Sequence, residues 1–391
     1  MLAHTIITLS IRETGTAPWP TFRWQVTVDG RLVQREQHLS FVEAELLRAL
    51  TRQYVGLFGA NAPHPRLALE VQRALGVTLF NLWLNKAWQE IPPTAGRRTL
   101  VLDSSVASIL NLPWHLLRPP GGNFLSLDPE WVFSYGASTN ASWDRATGSY
   151  TDDPLRILYL ADPWAHRSAH ATSPSTTLQQ ICTRAPIRLE QATHTTFAEL
   201  QQQVRLFQPH IVHLSNPSLF GRQCGTCPAV NQPAAQQCHQ CGTSLDAQFI
   251  QPYVAFVDAR GEPDLRAASS IRTILTGCPP PWLCLTSNPR GTQWPFAAVG
   301  RFCQELITAR LPIAIGWAGA MTEAHVMQGL SRFYRAVAVG VPVDRALAHA
   351  RQSLHRTAEG AAPAWAVPAL YAAPPAVVER LRTPLPRSAR A

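Results

Sequence analysis

Pro209-His210-Ile211-Val212-His213-Leu214-Ser215-Asn216-Pro217-Ser218 reads as a short buried strand that stops abruptly. The apolar run ends at Leu214, and the Asn-Pro pair behind it enforces a sharp turn. Proline fixes its own φ and pushes the preceding residue out of the helical region. Leu283-Cys284-Leu285-Thr286 runs into the same tripeptide, Ser287-Asn288-Pro289. Neither tripeptide contains a nucleophile that its neighbours visibly activate.

Outward from these two stretches, short apolar strands alternate with amphipathic helices. Strand patterns fall at Arg156 to Leu160, Ile187 to Glu190, Ile211 to Leu214, Tyr253 to Val257, Trp282 to Leu285 and Ile313 to Trp317. Helical patterns fall at Thr196 to Phe207, Leu265 to Leu275 and Phe296 to Ala309. This alternation predicts an α/β fold, a mostly parallel sheet flanked by helices, with function at the carboxyl ends of its strands.

The N-terminal part differs. Thr5 to Glu13 and Phe22 to Gln37 are rich in β-branched and aromatic residues, and Asp29-Gly30 predicts a tight hairpin turn. Ser40 with Glu43 forms a capping box for a helix running to Gly59, and a second helix is expected from about Pro65 to Glu90. Thr99 to Leu102 is a strand pattern, and Trp114-His115 reads as packing. Gly136 to Asp153, poor in apolar residues, reads as a linker.

The expected organisation is a β segment over residues 1–38 and a helical and β part over 39–150. A core follows over 151–373 with an insert at 221–245, and a Pro- and Arg-rich tail covers 374–391.

Composition limits the function classes. The chain has 391 residues, 46% hydrophobic and 15% charged, which describes a folded protein and not a disordered scaffold. The net charge of +9 comes from scattered arginines, with no basic stripe carrying interleaved aromatics, so nucleic-acid binding is not the expected role. No long apolar run predicts a membrane span, and Met1-Leu2-Ala3-His4-Thr5 has no signal-peptide pattern. A cytoplasmic setting is expected, where the 8 cysteines serve as thiols or metal ligands and not as disulfides.

Four of those cysteines are spaced for metal. Cys224-Gly225-Thr226-Cys227 and Cys238-His239-Gln240-Cys241-Gly242 are two CxxC knuckles separated by ten residues. Four thiolates at this spacing predict a structural zinc ribbon binding Zn2+ through Cys224, Cys227, Cys238 and Cys241. The insert's few apolar residues, chiefly Val230 and Leu245, are too few to order it by burial. Four sulfur ligands leave no open coordination position for catalysis.

The C-terminal part carries a resemblance. Phe333-Tyr334-Arg335-Ala336-Val337-Ala338-Val339-Gly340-Val341-Pro342-Val343-Asp344-Arg345-Ala346-Leu347-Ala348-His349-Ala350-Arg351, followed by Trp365-Ala366-Val367-Pro368-Ala369-Leu370-Tyr371, resembles the closing signature of CHAT domains. These are prokaryotic relatives of the caspase and separase cysteine peptidases of clan CD. Pro113-Trp114-His115-Leu116-Leu117 is similar to the family's Pro-Trp-Glu-Leu-Leu element. Leu155 to Pro163 is similar to its first core strand, and Leu311 to Ala324 to its strand and loop before the final helices. The resemblance spans about residues 65–373 and implies a caspase-like fold.

It also implies a site that this chain lacks. The family holds a His in a Ser-Gly-His-Gly type turn after one strand and a Cys in an Ala-Cys type turn after the next, the imidazole steering the thiol proton and backbone N–H groups holding the oxyanion. The matching positions here are Pro217 and Asn288. His213 corresponds to an upstream, non-catalytic His, and Cys284 lies within its strand. Ser215 and Ser287 have no visible base.

The resemblance therefore implies a pseudo-peptidase with no catalytic residue. The expected role is a protein-binding scaffold or regulator in a bacterial proteolytic signalling or defence system. Its partner would be another component of that cascade, with a peptide in the degenerate cleft as one mode of binding. The alternatives are an active cysteine-type peptidase with a non-standard or partner-completed site, and a zinc-ribbon nucleic-acid-binding protein.

Overall fold

The computed structural model describes residues 4–14, 21–58, 64–91, 96–104, 106–110, 112–136, 154–161, 174–183, 186–192, 196–215, 218–227, 229–232, 234–245, 250–276, 281, 283–286, 296–307, 311–317, 323–357 and 363–372. The chain opens with β1 (His4–Thr14), β2 (Thr21–Val28) and β3 (Arg31–His38). Asp29 and Gly30 both take left-handed backbone angles, with φ of 50° and 79°. That is the twist a two-residue hairpin needs and an Asn/Asp-Gly pair supplies.

Helix α1 (Phe41–Gly56) starts on the expected capping box. The Glu43 N–H donates to Ser40 Oγ at 3.2 Å, and the Ser40 N–H donates to Glu43 Oε2 at 2.8 Å. Helix α2 (Pro65–Trp83) stops well short of Glu90. After Leu84 the chain turns, and a short 3-10 turn at Trp88–Glu90 lays Trp88 on Trp131, the rings stacked at 5.7 Å. That aromatic contact overrides the helical periodicity.

Strands β4 (Arg97–Asp103), β5 (Trp131–Gly136), β6 (Leu155–Leu160), β7 (Ile187–Ala192), β8 (Ile211–Leu214), β13 (Leu283–Thr286), β14 (Ile313–Trp317) and β15 (Pro368–Ala372) join the first three in one sheet. Among the described residues it is 11-stranded, in the order β3-β2-β1-β4-β5-β15-β14-β13-β8-β6-β7. Every neighbouring pair is parallel except β1–β2, β2–β3 and β14–β15. The N-terminal hairpin thus extends the sheet, with β1 parallel to β4. Burial along β8 and β14 is complete, as expected for strands covered on both faces.

The helices α4 (Pro174–Cys182), α5 (Phe197–Phe207), α6 (Ala268–Leu275), α7 (Phe296–Leu306), α8 (Glu323–Ala338) and α9 (Val343–Thr357) follow their strands. A one-turn helix, α3 (Ala107–Leu110), follows β4. No helix of the described residues is long and apolar enough to cross a membrane.

One stretch departs from expectation. Tyr253 to Val257 belongs to β11 (Ile250–Val257), which lies outside the large sheet. It pairs antiparallel with β9 (Ser218–Gln223) and with β12 (Pro263–Ala267) in a second sheet ordered β10-β9-β11-β12, where β10 is Val230–Asn231. Leu265, expected in a helix, pairs with Ala255 instead, and α6 begins only at Ala268. The unpaired edge of β11 recruits these residues, because its backbone groups need partners. The expected linker after Gly136 and the tail from residue 374 lie outside the described residues.

Strand β15 closes the sheet between β5 and β14. Buried Trp365 donates from Nε1 to Gln72 Oε1 at 2.8 Å, tying this end of the chain to α2. Gly76 on α2 is where that helix meets the Pro113 to Leu117 segment, and a Cβ there would collide with the Leu116 carbonyl. Gly76→Ala is expected to destabilise the fold by about 1–3 kcal/mol, the usual cost of overpacking. Urea unfolding of both proteins measures the difference.

Candidate functional site

Two features are candidates: the paired ends of β8 and β13, and the four-cysteine cluster. Strands β8 and β13 are adjacent and parallel, with Ile211 opposite Leu283 and Leu214 opposite Thr286. Their carboxyl ends are therefore level. Pro217, Ser287 and Asn288 lie outside the described residues, as does the side chain of Cys284. Ser215 is buried, and its N–H donates to the Leu160 carbonyl at 3.0 Å.

His213 sits in the core. It is fully buried, its Nδ1 shares a hydrogen bond with Tyr334 Oη at 2.9 Å, and Tyr159 packs edge-on at 4.9 Å. Burial pushes its pKa down to about 3. A group so far below neutrality is not poised to exchange protons near pH 7. Trp114 and His115 are also core residues. Trp114 Nε1 donates to the Ile109 carbonyl at 2.8 Å, and His115 lies against Phe133 and Tyr135.

The four expected ligands do come together. The sulfur atoms of Cys224, Cys227, Cys238 and Cys241 all lie within 4.8 Å of one another. The Cys224–Cys241 separation is 3.5 Å and the Cys227–Cys238 separation is 3.6 Å. A tetrahedral ion with bonds of about 2.3 Å would set its sulfurs roughly 3.8 Å apart. The donor set fits a metal ion.

The local fold explains the convergence. The Cys224 N–H donates to the Ala229 carbonyl at 2.9 Å, and the Cys238 N–H donates to the Thr243 carbonyl at 2.8 Å. The second knuckle closes through Gly242, at φ of +71°, whose N–H donates to the Cys238 carbonyl at 2.9 Å. A residue with a Cβ is strained in that conformation.

Buried Asn231 joins the two knuckles, and spacing alone did not reveal it. Its Nδ2 donates to the Arg222 and Ala229 carbonyls, each at 3.4 Å, and its Oδ1 accepts from the His239 N–H at 2.9 Å.

The electrostatics also call for a cation. Against desolvation, the N–H groups of Cys241 and Gln240, with Asn231 and Cys227, draw the Cys238 thiol down to about 6. Although the Ala229 N–H favours its thiolate, Cys227 is pushed up to about 12 by desolvation and by the neighbouring sulfurs. Four thiolates this close repel one another, so all four are deprotonated together only around a cation.

The fold and this cluster together define a mixed α/β protein with a large, mostly parallel central sheet and a four-cysteine unit that could bind a metal ion. No family model matches the chain, and no curated protein matches it in sequence. Among solved structures, it is similar to that of the Saccharomyces cerevisiae separase–securin complex, with a TM-score of 0.45 and 9% sequence identity. The similarity covers 95% of this chain and 30% of that one. A likeness this distant carries no residue across.

Two outcomes are expected. Elemental analysis of protein purified without chelator should find about one metal equivalent per chain, and a Cys224→Ser/Cys238→Ser variant should have lost it. His213 has a depressed pKa, so its contribution to stability is full above its unfolded value of about 6.5 and is lost as pH falls toward about 3. Proton uptake on unfolding, read from the pH dependence of urea stability between roughly pH 6 and 4.5, should fall by about one in His213→Leu.

Proposed function

We propose that this chain is a catalytically inactive member of the CHAT family, a pseudo-caspase that binds another protein as scaffold or regulator in a bacterial proteolytic signalling or defence system. The observation that carries the reading is the level pairing of β8 with β13. It sets level the ends of the two strands after which a caspase-like peptidase would hold its imidazole and thiol, and in sequence those positions are Pro217 and Asn288. Neither residue can accept a proton from a thiol or act as a nucleophile. The histidine nearest to them in β8, His213, is locked to Tyr334.

Zn2+ is the ion we assign to Cys224, Cys227, Cys238 and Cys241, in a structural role. A tetrahedral all-sulfur site suits zinc, and four protein ligands leave no coordination position for a substrate. The ion's task is to hold the two knuckles beyond the carboxyl end of β8, where β9 begins at Ser218. We assign this unit, which follows β8 in sequence after the short strand β9, the role of a docking element for the partner. The partner is a protein of the same cascade, and the setting is cytoplasmic.

The test is to purify the tagged chain from cells that also express its genomic neighbours, and to read complex masses and cleavage by mass spectrometry. A stoichiometric, uncleaved partner, released when Cys224 and Cys238 are both changed to serine, is the expected result. Cleavage of a protein or peptide by the pure chain, abolished by Asn288→Ala, Ser287→Ala or Cys284→Ala, would overturn it.

A further inference from the structure

A second concave feature lies away from both candidates. Helix α2, helix α9 and the segment joining β4 to β5 enclose a half-open cleft of about 720 Å³, with Arg73, Arg118, Phe124, Asp128, Gln352 and His355 among its walls. The volume falls in the range of small-molecule sites and is several times what an inorganic phosphate fills. None of these elements carries the end of β8 or β13, so the cleft is independent of the function proposed above.

The walls are preformed. The Leu125 N–H donates to the Leu117 carbonyl at 2.8 Å, and Ser126 Oγ donates to the His115 carbonyl at 2.6 Å. Gln352 spends its Nε2 on the Leu127 carbonyl at 2.6 Å. Phe124 packs on Trp365 at 4.9 Å, and His355 stands edge-on to the same indole at 5.3 Å. A frame held this way loses little freedom when a ligand enters.

Arg118 is the directed group within that frame. Its backbone N–H donates to the Gly76 carbonyl at 3.3 Å and its Nε donates to the Gly122 carbonyl at 2.5 Å, while the guanidinium lies 5.7 Å from the centre of the Phe124 ring. These contacts fix the guanidinium plane, and Nη1 and Nη2 have no acceptor among the described residues. Such a fixed, open fork matches the oxygens of a phosphate, and its flat face can also carry a planar ring.

Arg73 adds a second cation, partly neutralised by Glu70 at 2.7 Å. Asp128 is the lining carboxylate. Its Oδ1 accepts from the Glu130 N–H at 2.9 Å, and Oδ2 has no donor among the described residues. A carboxylate so placed repels a second anionic group and accepts from a hydroxyl or amino group.

We propose that this cleft binds a small phosphate monoester whose organic part carries hydrogen-bond donors, a sugar or nucleoside phosphate. Arg118 and Arg73 take the phosphate, and Asp128 takes the hydroxyl or amino groups. Two guanidinium groups facing a single lining carboxylate select one phosphate. The spare volume selects an ester over the free ion.

Isothermal titration calorimetry on the full chain tests the assignment, with AMP, ribose 5-phosphate and inorganic phosphate as probes. Saturable one-to-one binding of AMP or ribose 5-phosphate is expected, at least about tenfold tighter than inorganic phosphate, since one or more net hydrogen bonds to charged groups separate them. Arg118→Gln should weaken it about 10- to 100-fold, the usual worth of a charge-assisted pair. The exposed Arg73→Gln should weaken it less, and Asp128→Asn should narrow the gap between ester and free phosphate. Absence of saturable binding of either ester into the millimolar range, equal affinity for inorganic phosphate, or binding unchanged in both arginine variants would overturn the proposal.

Discussion

The seam at β15 is the interaction on which the rest of the structure depends. This last described strand, with all five residues buried, runs antiparallel to β14 and parallel to β5 and so joins the sheet's N-terminal half to its C-terminal half. Its pairing with β5 covers only Tyr371 opposite Tyr135 and Ala372 opposite Gly136, reinforced by the stacking of those two tyrosines at 4.7 Å. So short a ladder needs support. It comes from Arg351 on α9, fully buried, whose Nε and Nη2 both donate to the Pro368 carbonyl, at 3.1 and 2.6 Å.

A buried guanidinium is costly, and this one satisfies a backbone carbonyl where a carboxylate would be the usual partner. Burial lowers its pKa to about 9, which still leaves it charged at neutral pH. The same burial, together with Arg351 itself, keeps nearby His115 neutral. Two ionisable groups thus share one apolar region with a single charge between them, and that charge is used to hold β15 in register. Two ion pairs tie the first turn of α9 to the neighbouring strands: Arg345 with Glu130, just before β5, at 2.9 Å, and buried Asp344 with Arg97 at the start of β4. Helix α9 is therefore the clamp that lets strands far apart in sequence form one surface.

The parts of this arrangement legible in the sequence are those fixed by neighbours along the chain. Ser40 and Glu43, Asp29 and Gly30, and the two CxxC knuckles announce themselves because each depends on residues only a few positions apart. Apolar runs such as Ile211 to Leu214 also identify themselves as strands. Tyr253 to Val257 shows where this stops: its side chains are buried in the second sheet much as they would be in the first, so burial cannot reveal which sheet holds it. Trp131 to Tyr135 is a run of aromatic and β-branched residues that carries a strand signal, but nothing local shows that β5 lies between β4 and β15. The cleft gathers residues from position 69 to position 355, and no local pattern encodes such a meeting. Asn231, between the knuckles in sequence, is an ordinary polar residue until its three backbone partners are seen.

The connection from β8 to β13 carries the last step of the argument. Parallel neighbours need a crossover of only about a dozen residues, generally a helix, and α6 supplies it. The residues from Ser218 to Ala267 are additional to that unit, and they form the second sheet and the cysteine cluster. Part of this addition is anchored to the main core, since β11 buries Phe256 against Phe197 of α5 at 5.3 Å. The part around the cysteines is not. Apart from Ala229 and Leu245, the buried residues of its small core are the ligands Cys224 and Cys238 themselves. Apolar burial on that scale does not offset the conformational entropy of ordering the loops, so this is where the binding free energy of an ion held by the four cysteines would enter the fold. The addition is therefore a platform packed on the main core with a tip that a metal ion could order.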